Sequence, residues 1–224
     1  MRIRTESITC PQCGACQKLD IYETVNIAVD PSMRDRVASG ELFRGRCETC
    51  GCEIPLSYDC VYKDIAHRFM IYLIPPQTPN AIELIESAQK QCEELLGKLR
   101  ETFCLRIVSS VTELQEKRVQ FEQGLDDRIT ELYKTILLRG LLKEQPEYRL
   151  KQALLTGTDG KKRFFFTDAD GNRLSVGFDE GMYRSLEEMF LDKIAPFHDN
   201  YFSVVNLAWA HRFLDALNRE GGEY

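Results

Sequence analysis

The sequence predicts an α+β fold in two units, a β-rich one over residues 1–75 with a short helix inserted in it and a helix-rich α+β one over residues 76–224. Three observations predict it. Cysteines fall in two matched turns, Cys10-Pro11-Gln12-Cys13-Gly14 and Cys47-Glu48-Thr49-Cys50-Gly51, of a kind that sits between β-strands. The run Pro75-Pro76-Gln77-Thr78-Pro79 reads as a linker. Beyond it the apolar period changes from about two residues to about 3.6.

Residues 3–9 read as a strand leading into the first cysteine turn, and residues 21–29 alternate apolar and polar side chains as a second strand. Asp30-Pro31 offers an N-cap followed by a proline at the first helical position, and Gly40 offers a stop, so residues 32–39 form a short helix. This strand and helix fill the 33 residues between Cys13 and Cys47, a gap longer than the roughly 15–20 of a plain ribbon. Residues 54–58 and 69–74 read as further strands. After the linker, Asn80 and Glu83 make a cap pair ahead of an amphipathic helix marked by Leu84, Ile85, Ala88, Cys92, Leu95, Leu96 and Leu99. A strand over 103–108 precedes Ser110 and Glu113, whose spacing is a capping box for helices over 111–123 and 125–142. Asp159-Gly160 and Asp170-Gly171 are hairpin turns around strands at 163–167 and 173–178. Two amphipathic helices, over 182–194 and 201–217, close the chain on either side of Ala195-Pro196-Phe197, with Trp209 in their core.

Each cysteine turn carries the chemistry of a metal knuckle. Two thiolates project to one side, and the glycine after the second Cys lets the chain turn tightly with its N–H groups facing the sulfurs. Two such knuckles close a tetrahedron, so Cys10, Cys13, Cys47 and Cys50 are the expected ligands of one structural zinc per chain, in a zinc-ribbon-like unit. Iron in a rubredoxin-like site uses the same four-thiolate geometry and is the rival metal. Disulfides would need an oxidising compartment, and the opening residues Met1-Arg2-Ile3-Arg4 offer no secretory signal, so a cytoplasmic location is expected. Of the other cysteines, Cys92 and Cys104 read as small hydrophobes, and Cys16, Cys52 and Cys60 as free or packed thiols. His67 reads as a solvated surface histidine.

The formal net charge is −6, and no part of the chain is basic: residues 1–75 hold 9 Lys and Arg against 10 Asp and Glu, and both later thirds are also acidic. A nucleic-acid partner is therefore disfavoured, although Arg34, Arg36, Arg44 and Arg46 offer one local patch. No hydrophobic run approaches a membrane span. The carboxylates Glu113, Glu116, Glu122, Asp126, Asp127 and Glu131 alternate with Lys117, Arg118 and Arg128, a pattern that reads as solvated helix faces with i,i+4 pairs. Asp168-Ala169-Asp170-Gly171-Asn172 starts like a calcium loop, but the glycine comes too early, at the fourth position and not the sixth, and no Glu stands at the twelfth position, so it reads as a turn. His198 and His211 lie in no recognisable nucleophile motif, Ser109-Ser110 lacks a nucleophile elbow, and no phosphate-binding glycine loop is present.

The paired cysteine turns, together with Asn26-Ile27-Ala28-Val29-Asp30-Pro31, Leu114-Gln115-Glu116-Lys117 and Gly124-Leu125-Asp126-Asp127-Arg128, resemble the bacterial and archaeal CpXC proteins over roughly residues 4–134. That family is recognised by two Cys-Pro-x-Cys-type motifs, and here Glu48 stands where the second often has Pro. Proline stiffens the turn and supplies no ligand atom, so ligation is expected to be unaffected. The resemblance implies kinship without chemistry. The expected function is interaction with a protein partner or with a second copy of the chain, with the stripe Leu125, Ile129, Leu132, Tyr133, Ile136 and Leu137 as candidate surface, although the default reading of that stripe is core within its own chain. The alternatives are a nucleic-acid-associated factor and, third, an enzyme or a rubredoxin-like iron protein.

Overall fold

The computed structural model describes residues 1–158, 161–197 and 200–219. Its elements are β1 (Arg2–Thr9), β2 (Cys16–Asn26), α1 (Met33–Ala38), β3 (Arg44–Arg46), β4 (Glu53–Pro55), β5 (Cys60–Asp64), β6 (Phe69–Leu73), α2 (Ala81–Leu96), β7 (Cys104–Val108), α3 (Val111–Glu122), α4 (Asp127–Glu144), β8 (Leu150–Thr158), β9 (Lys161–Asp168), β10 (Arg173–Gly177), α5 (Glu180–Ile194) and α6 (Leu207–Arg219). The fold class is α+β, as the sequence predicts. Contacts divide the chain into two units, residues 1–115 with 199–203, and residues 116–198 with 204–224.

The first unit is built on a five-stranded sheet in the order β1-β2-β5-β6-β7. β1 pairs antiparallel with β2 and β5 antiparallel with β6, while β2–β5 and β6–β7 are parallel. All five residues of β6 are buried, as expected of a strand with neighbours on both sides and cover on both faces. Ala81, Leu84, Ile85, Ala88, Cys92 and Leu96 of α2 pack against Met70, Tyr72 and Leu105. The amphipathic stripe of that helix is thus confirmed for these residues, while Leu95 and Leu99 are exposed. Cys92 does act as a small buried hydrophobe, its thiol 3.6 Å from the Met70 sulfur.

The proline-rich run therefore lies inside the first unit and not at the edge of it. After Pro79 the chain returns as α2 and β7 to cover and extend the same sheet, so the expected boundary at 75/76 does not coincide with the division of contacts. Residues 200–203 also come back to this sheet: Ser203 bridges Arg106 in parallel, and the buried Arg106 guanidinium donates to the Ser203 hydroxyl at 3.3 Å. This return explains why the final helix begins at Leu207 and not at 201.

Local signals account for most of the helix ends. Asp30 accepts from the Ser32 N–H at 3.0 Å ahead of α1, and Gly40 stops the chain at φ 74°. Ser110 accepts from the Glu113 N–H, and Glu113 in turn accepts from the N–H and hydroxyl of Ser109, a capping box shifted by one residue on its return arm. The expected Asn80–Glu83 pair does not form. Asn80 sits in the left-handed region at φ 55° and makes no side-chain cap bond. Strand β5 is an element that the sequence reading leaves out.

The second unit holds a three-stranded antiparallel sheet, β10-β9-β8, with α4, α5 and α6. Its core gathers Ile129 and Leu132 of α4, Leu155, Phe164 and Phe166 of the sheet, Phe190 of α5, and Phe213 and Leu214 of α6. Tyr133, Phe164, Phe178 and Tyr183 form a chain of ring contacts at 4.8–5.5 Å. Trp209 is partly buried and stacks on Phe213 at 5.3 Å, in agreement with its reading as core. Asp168 caps the β9–β10 turn by accepting from the Asn172 N–H at 2.8 Å, so the calcium-like run is a hairpin turn. The Asp159-Gly160 turn and His198 lie outside the described residues.

The apolar stripe takes its default place in the core and is not a free surface: Leu125, Ile129, Leu132 and Tyr133 are buried in the core of their own unit, and Ile136 and Leu137 pack against it. Nor are all the carboxylates of α3 and α4 solvated. Glu116, Asp127 and Glu131 are buried together with Lys117 and Lys134 in one ionic network.

Candidate metal centre

The first knuckle connects β1 to β2, whose register ends on Thr9 opposite Cys16; the second connects β3 to β4, ending on Arg46 opposite Glu53. The two turns share one backbone pattern. The Cys10 N–H donates to the Ala15 carbonyl and the Cys47 N–H to the Cys52 carbonyl, both at 2.8 Å. The Gly14 N–H returns to the Cys10 carbonyl at 3.0 Å and the Gly51 N–H to the Cys47 carbonyl at 2.8 Å. Gly14 and Gly51 both take φ 74°, a conformation that glycine alone adopts without strain, which is why each pair is followed by Gly.

These turns bring the sulfurs of Cys10, Cys13, Cys47 and Cys50 to within 4.8 Å of one another. Cys10 lies 3.7 Å from Cys50, and Cys13 lies 3.6 Å from Cys47. A tetrahedron with metal–sulfur bonds of about 2.3 Å has edges of about 3.8 Å, so both cross-knuckle pairs stand at the spacing of such edges. The leading cysteine of each knuckle is buried and the trailing one exposed.

The electrostatics point the same way. The Cys10 thiol is lowered to about 6, first by the backbone N–H of Cys13, and Cys47 is lowered first by the N–H of Cys50. Cys13 receives an Ala15 N–H that favours its thiolate, yet its hydrogen bond with Cys10 helps push it up to about 12. Backbone dipoles thus favour negative sulfur at the site, while crowding stops neighbouring sulfurs from ionising together. A divalent cation among them removes that conflict, so the donor set can hold a metal ion.

Residues outside the four cysteines join the knuckles, and the sequence reading misses them. Gln17 donates to the Arg46 carbonyl at 2.8 Å and accepts from the Glu48 N–H at 2.9 Å, so one side chain on β2 ties the first hairpin to the second. The Arg46 guanidinium donates to the Gly51 carbonyl at 3.2 Å. Gly45 gives β3 its close approach, since a Cβ there would fall within the Leu19 side chain. Cys52 lies 3.2 Å from Cys10. Cys16 is exposed, and Cys60 is fully buried with its thiol pushed up by burial. His67 is not simply solvated: its Nδ1 lies 2.7 Å from the buried Asp64, which also accepts from its N–H and pairs with Arg34.

The arginines of the local patch are engaged within the unit. Arg34 pairs with Asp64, Arg36 with Glu41 at 2.7 Å, and Arg44 with Glu53 at 3.5 Å. Among the described residues no helix is long and apolar enough to cross a membrane.

The fold and the site define a class: α+β proteins with twin cysteine knuckles set at the ends of adjoining hairpins. The family described as CpXC protein matches residues 8–134, and the chain belongs to that family. The match covers both knuckles and runs through α3 into α4, including Glu116, Lys117, Asp127 and Glu131 of the buried network. No curated protein and no solved structure matches the chain.

Proposed function

We propose that Cys10, Cys13, Cys47 and Cys50 hold one zinc ion per chain as a structural staple, and that the protein works in a reducing, cytoplasmic setting by binding a protein partner or a second copy of itself. The observation that carries this reading is the four-sulfur cluster, assembled by two knuckles of one backbone pattern with cross-pairs at 3.6 and 3.7 Å. Zinc suits a closed set of four thiolates, and iron would fit the same geometry. When bound, the ion supplies folding free energy by joining the two hairpins. Four protein ligands leave no position for substrate or water, which favours a structural role over a catalytic one.

The pairing of Arg34, Arg36 and Arg44 with carboxylates weighs further against a nucleic-acid role, because a phosphate would have to displace partners already in place. A cleft of about 380 Å³ lies beside Arg4, Tyr58, Asp59 and Pro75. Four of the polar side chains lining it are paired internally: Arg4 with Glu6 at 3.0 Å, Tyr58 with the Leu42 carbonyl at 2.7 Å, and Asp59 with Tyr72 at 3.2 Å. Elemental analysis and sedimentation of protein purified without added metal test the two halves of the proposal. One zinc per chain with an associated or partner-bound species supports it. A metal-free protein contradicts the first half, and a strict monomer removes self-association.

A further inference from the structure

We propose that Cys52 is an oxidation site, forming a reversible disulfide with Cys10 when a peroxide reaches the cluster and thereby opening the metal centre. The proposal rests on Cys10 being a metal ligand. Its basis is geometric. The 3.2 Å between Cys10 and Cys52 is about half an ångström shorter than a tetrahedral edge, so the two sulfurs do not fit as ligands of one tetrahedral ion. Cys52 therefore stands beside the tetrahedron as a thiol in contact with a ligand sulfur. Closing the gap to a disulfide of about 2.05 Å needs a movement of little more than an ångström. Cys52 is only partly buried, so a small oxidant reaches the pair, whereas the fully buried Cys60 is sheltered.

The two knuckles supply an internal comparison. Cys52 occupies the position after Cys50-Gly51 that Ala15 occupies after Cys13-Gly14, and both residues use their carbonyl in the same way, accepting the N–H of the leading cysteine. The backbone pattern thus accepts alanine at this place, and the thiol is an addition found in one knuckle only. It also sits against the leading cysteine of the opposite knuckle, so a bond there removes a ligand outright.

The Cys52 thiol attacks the peroxide O–O bond and becomes a sulfenic acid, its proton leaving with the departing oxygen as water. The Cys10 thiolate then leaves the ion and attacks the sulfenic sulfur, the S–S bond forms, and hydroxide departs. One thiol, one thiolate and one hydrogen peroxide give one disulfide, one water and one hydroxide; the sulfurs are oxidised and the peroxide is reduced. The site keeps three thiolates and loses its hold on the ion.

The test uses the full chain, with metal content measured first, which addresses the ligand assignment alone. Hydrogen peroxide is then added near equimolar amounts, metal release is followed with a coloured chelator, and disulfides are mapped by fragmentation, because Cys10, Cys13 and Cys16 share a tryptic peptide. The expected result is a Cys10–Cys52 disulfide that grows in step with metal release and reverses with a dithiol. Cys52→Ala should keep its metal when reduced and release it on the order of ten-fold more slowly. Release from Cys52→Ala at the wild-type rate, or first oxidation at another pair, overturns the proposal. Loss of metal from reduced Cys52→Ala also overturns it, since Cys52 would then be a ligand. If the wild-type protein holds no metal, the ligand assignment fails, and disulfide mapping still decides whether Cys10 and Cys52 are the reactive pair.

Discussion

The Lys117 ammonium lies 2.8 Å from the Asp127 carboxylate, with both side chains almost completely excluded from solvent. The same ammonium lies 3.2 Å from Glu131, which also pairs with Lys134 at 2.9 Å, and Lys134 pairs with Glu116 at 2.8 Å. Glu116 further accepts the Leu155 N–H at 2.6 Å, so the network fastens the edge of β8 to the α3–α4 pair. Two cations among three carboxylates leave one excess negative charge or one bound proton. Burial first, and then Glu131, push the Glu116 carboxyl up, in keeping with that count.

Removing Lys117 leaves Asp127 and Glu131 buried without their shared counter-ion. Lys117→Met should therefore destabilise the second unit by about 3–5 kcal/mol. Denaturant unfolding followed by circular dichroism measures it, and a loss below about 1 kcal/mol would mean that the network relaxes at little cost.

The same residue sets a pH dependence with a definite sign. Burial alone would lower the Lys117 pKa, but Asp127, then Glu131 and Glu116, outweigh it and raise the folded value above the ordinary one. A raised lysine stabilises the fold at every pH below its unfolded value of about 10.4, and that contribution is lost as pH rises through the folded value. Wild-type protein should thus lose stability above about pH 10 more steeply than Lys117→Met. Parallel curves between pH 8 and 11.5 would contradict this.

At the knuckles, Gln17 is the residue to remove. Gln17→Ala deletes two bonds between the hairpins and leaves the cysteines intact, so the variant should still bind one metal, about ten-fold more weakly by chelator competition. An unchanged affinity would show that the hairpins are held together without this side chain.

Why some of this is legible in the sequence and some is not follows from distance along the chain. A knuckle is encoded within five residues, so ligand spacing and the demand for glycine at φ 74° can be read directly, and the four sulfurs come together as expected. Lys117 and Asp127 belong to different helices, and alternating charges look the same whether a helix face meets water or another helix. Pro75–Pro79 carries a true turn, but nothing local says that β7 will return to lie parallel to β6. Cys52 and Gln17 gain their roles from a hairpin about 30–40 residues away, and no spacing rule points to them.

Division of the chain predicts a division of metal dependence. Among the described residues, the core of the second unit draws on residues from Leu125 onward and contains none of the knuckle residues. A strong chelator should expose the amides of β1 to β4 to hydrogen exchange while those of α4, α5 and α6 stay protected. Simultaneous loss of protection throughout would mean that the two units unfold as one.

Metal stoichiometry decides whether the four cysteines hold an ion, measured by elemental analysis of wild type, Cys10→Ser, Cys47→Ser and Cys16→Ser purified under reducing conditions without added metal. Wild type and Cys16→Ser should each carry one zinc per chain, and neither Cys10→Ser nor Cys47→Ser should hold the ion stoichiometrically. A wild-type protein without metal, or a Cys10→Ser variant that keeps one ion per chain while Cys16→Ser loses it, would contradict this ligand assignment.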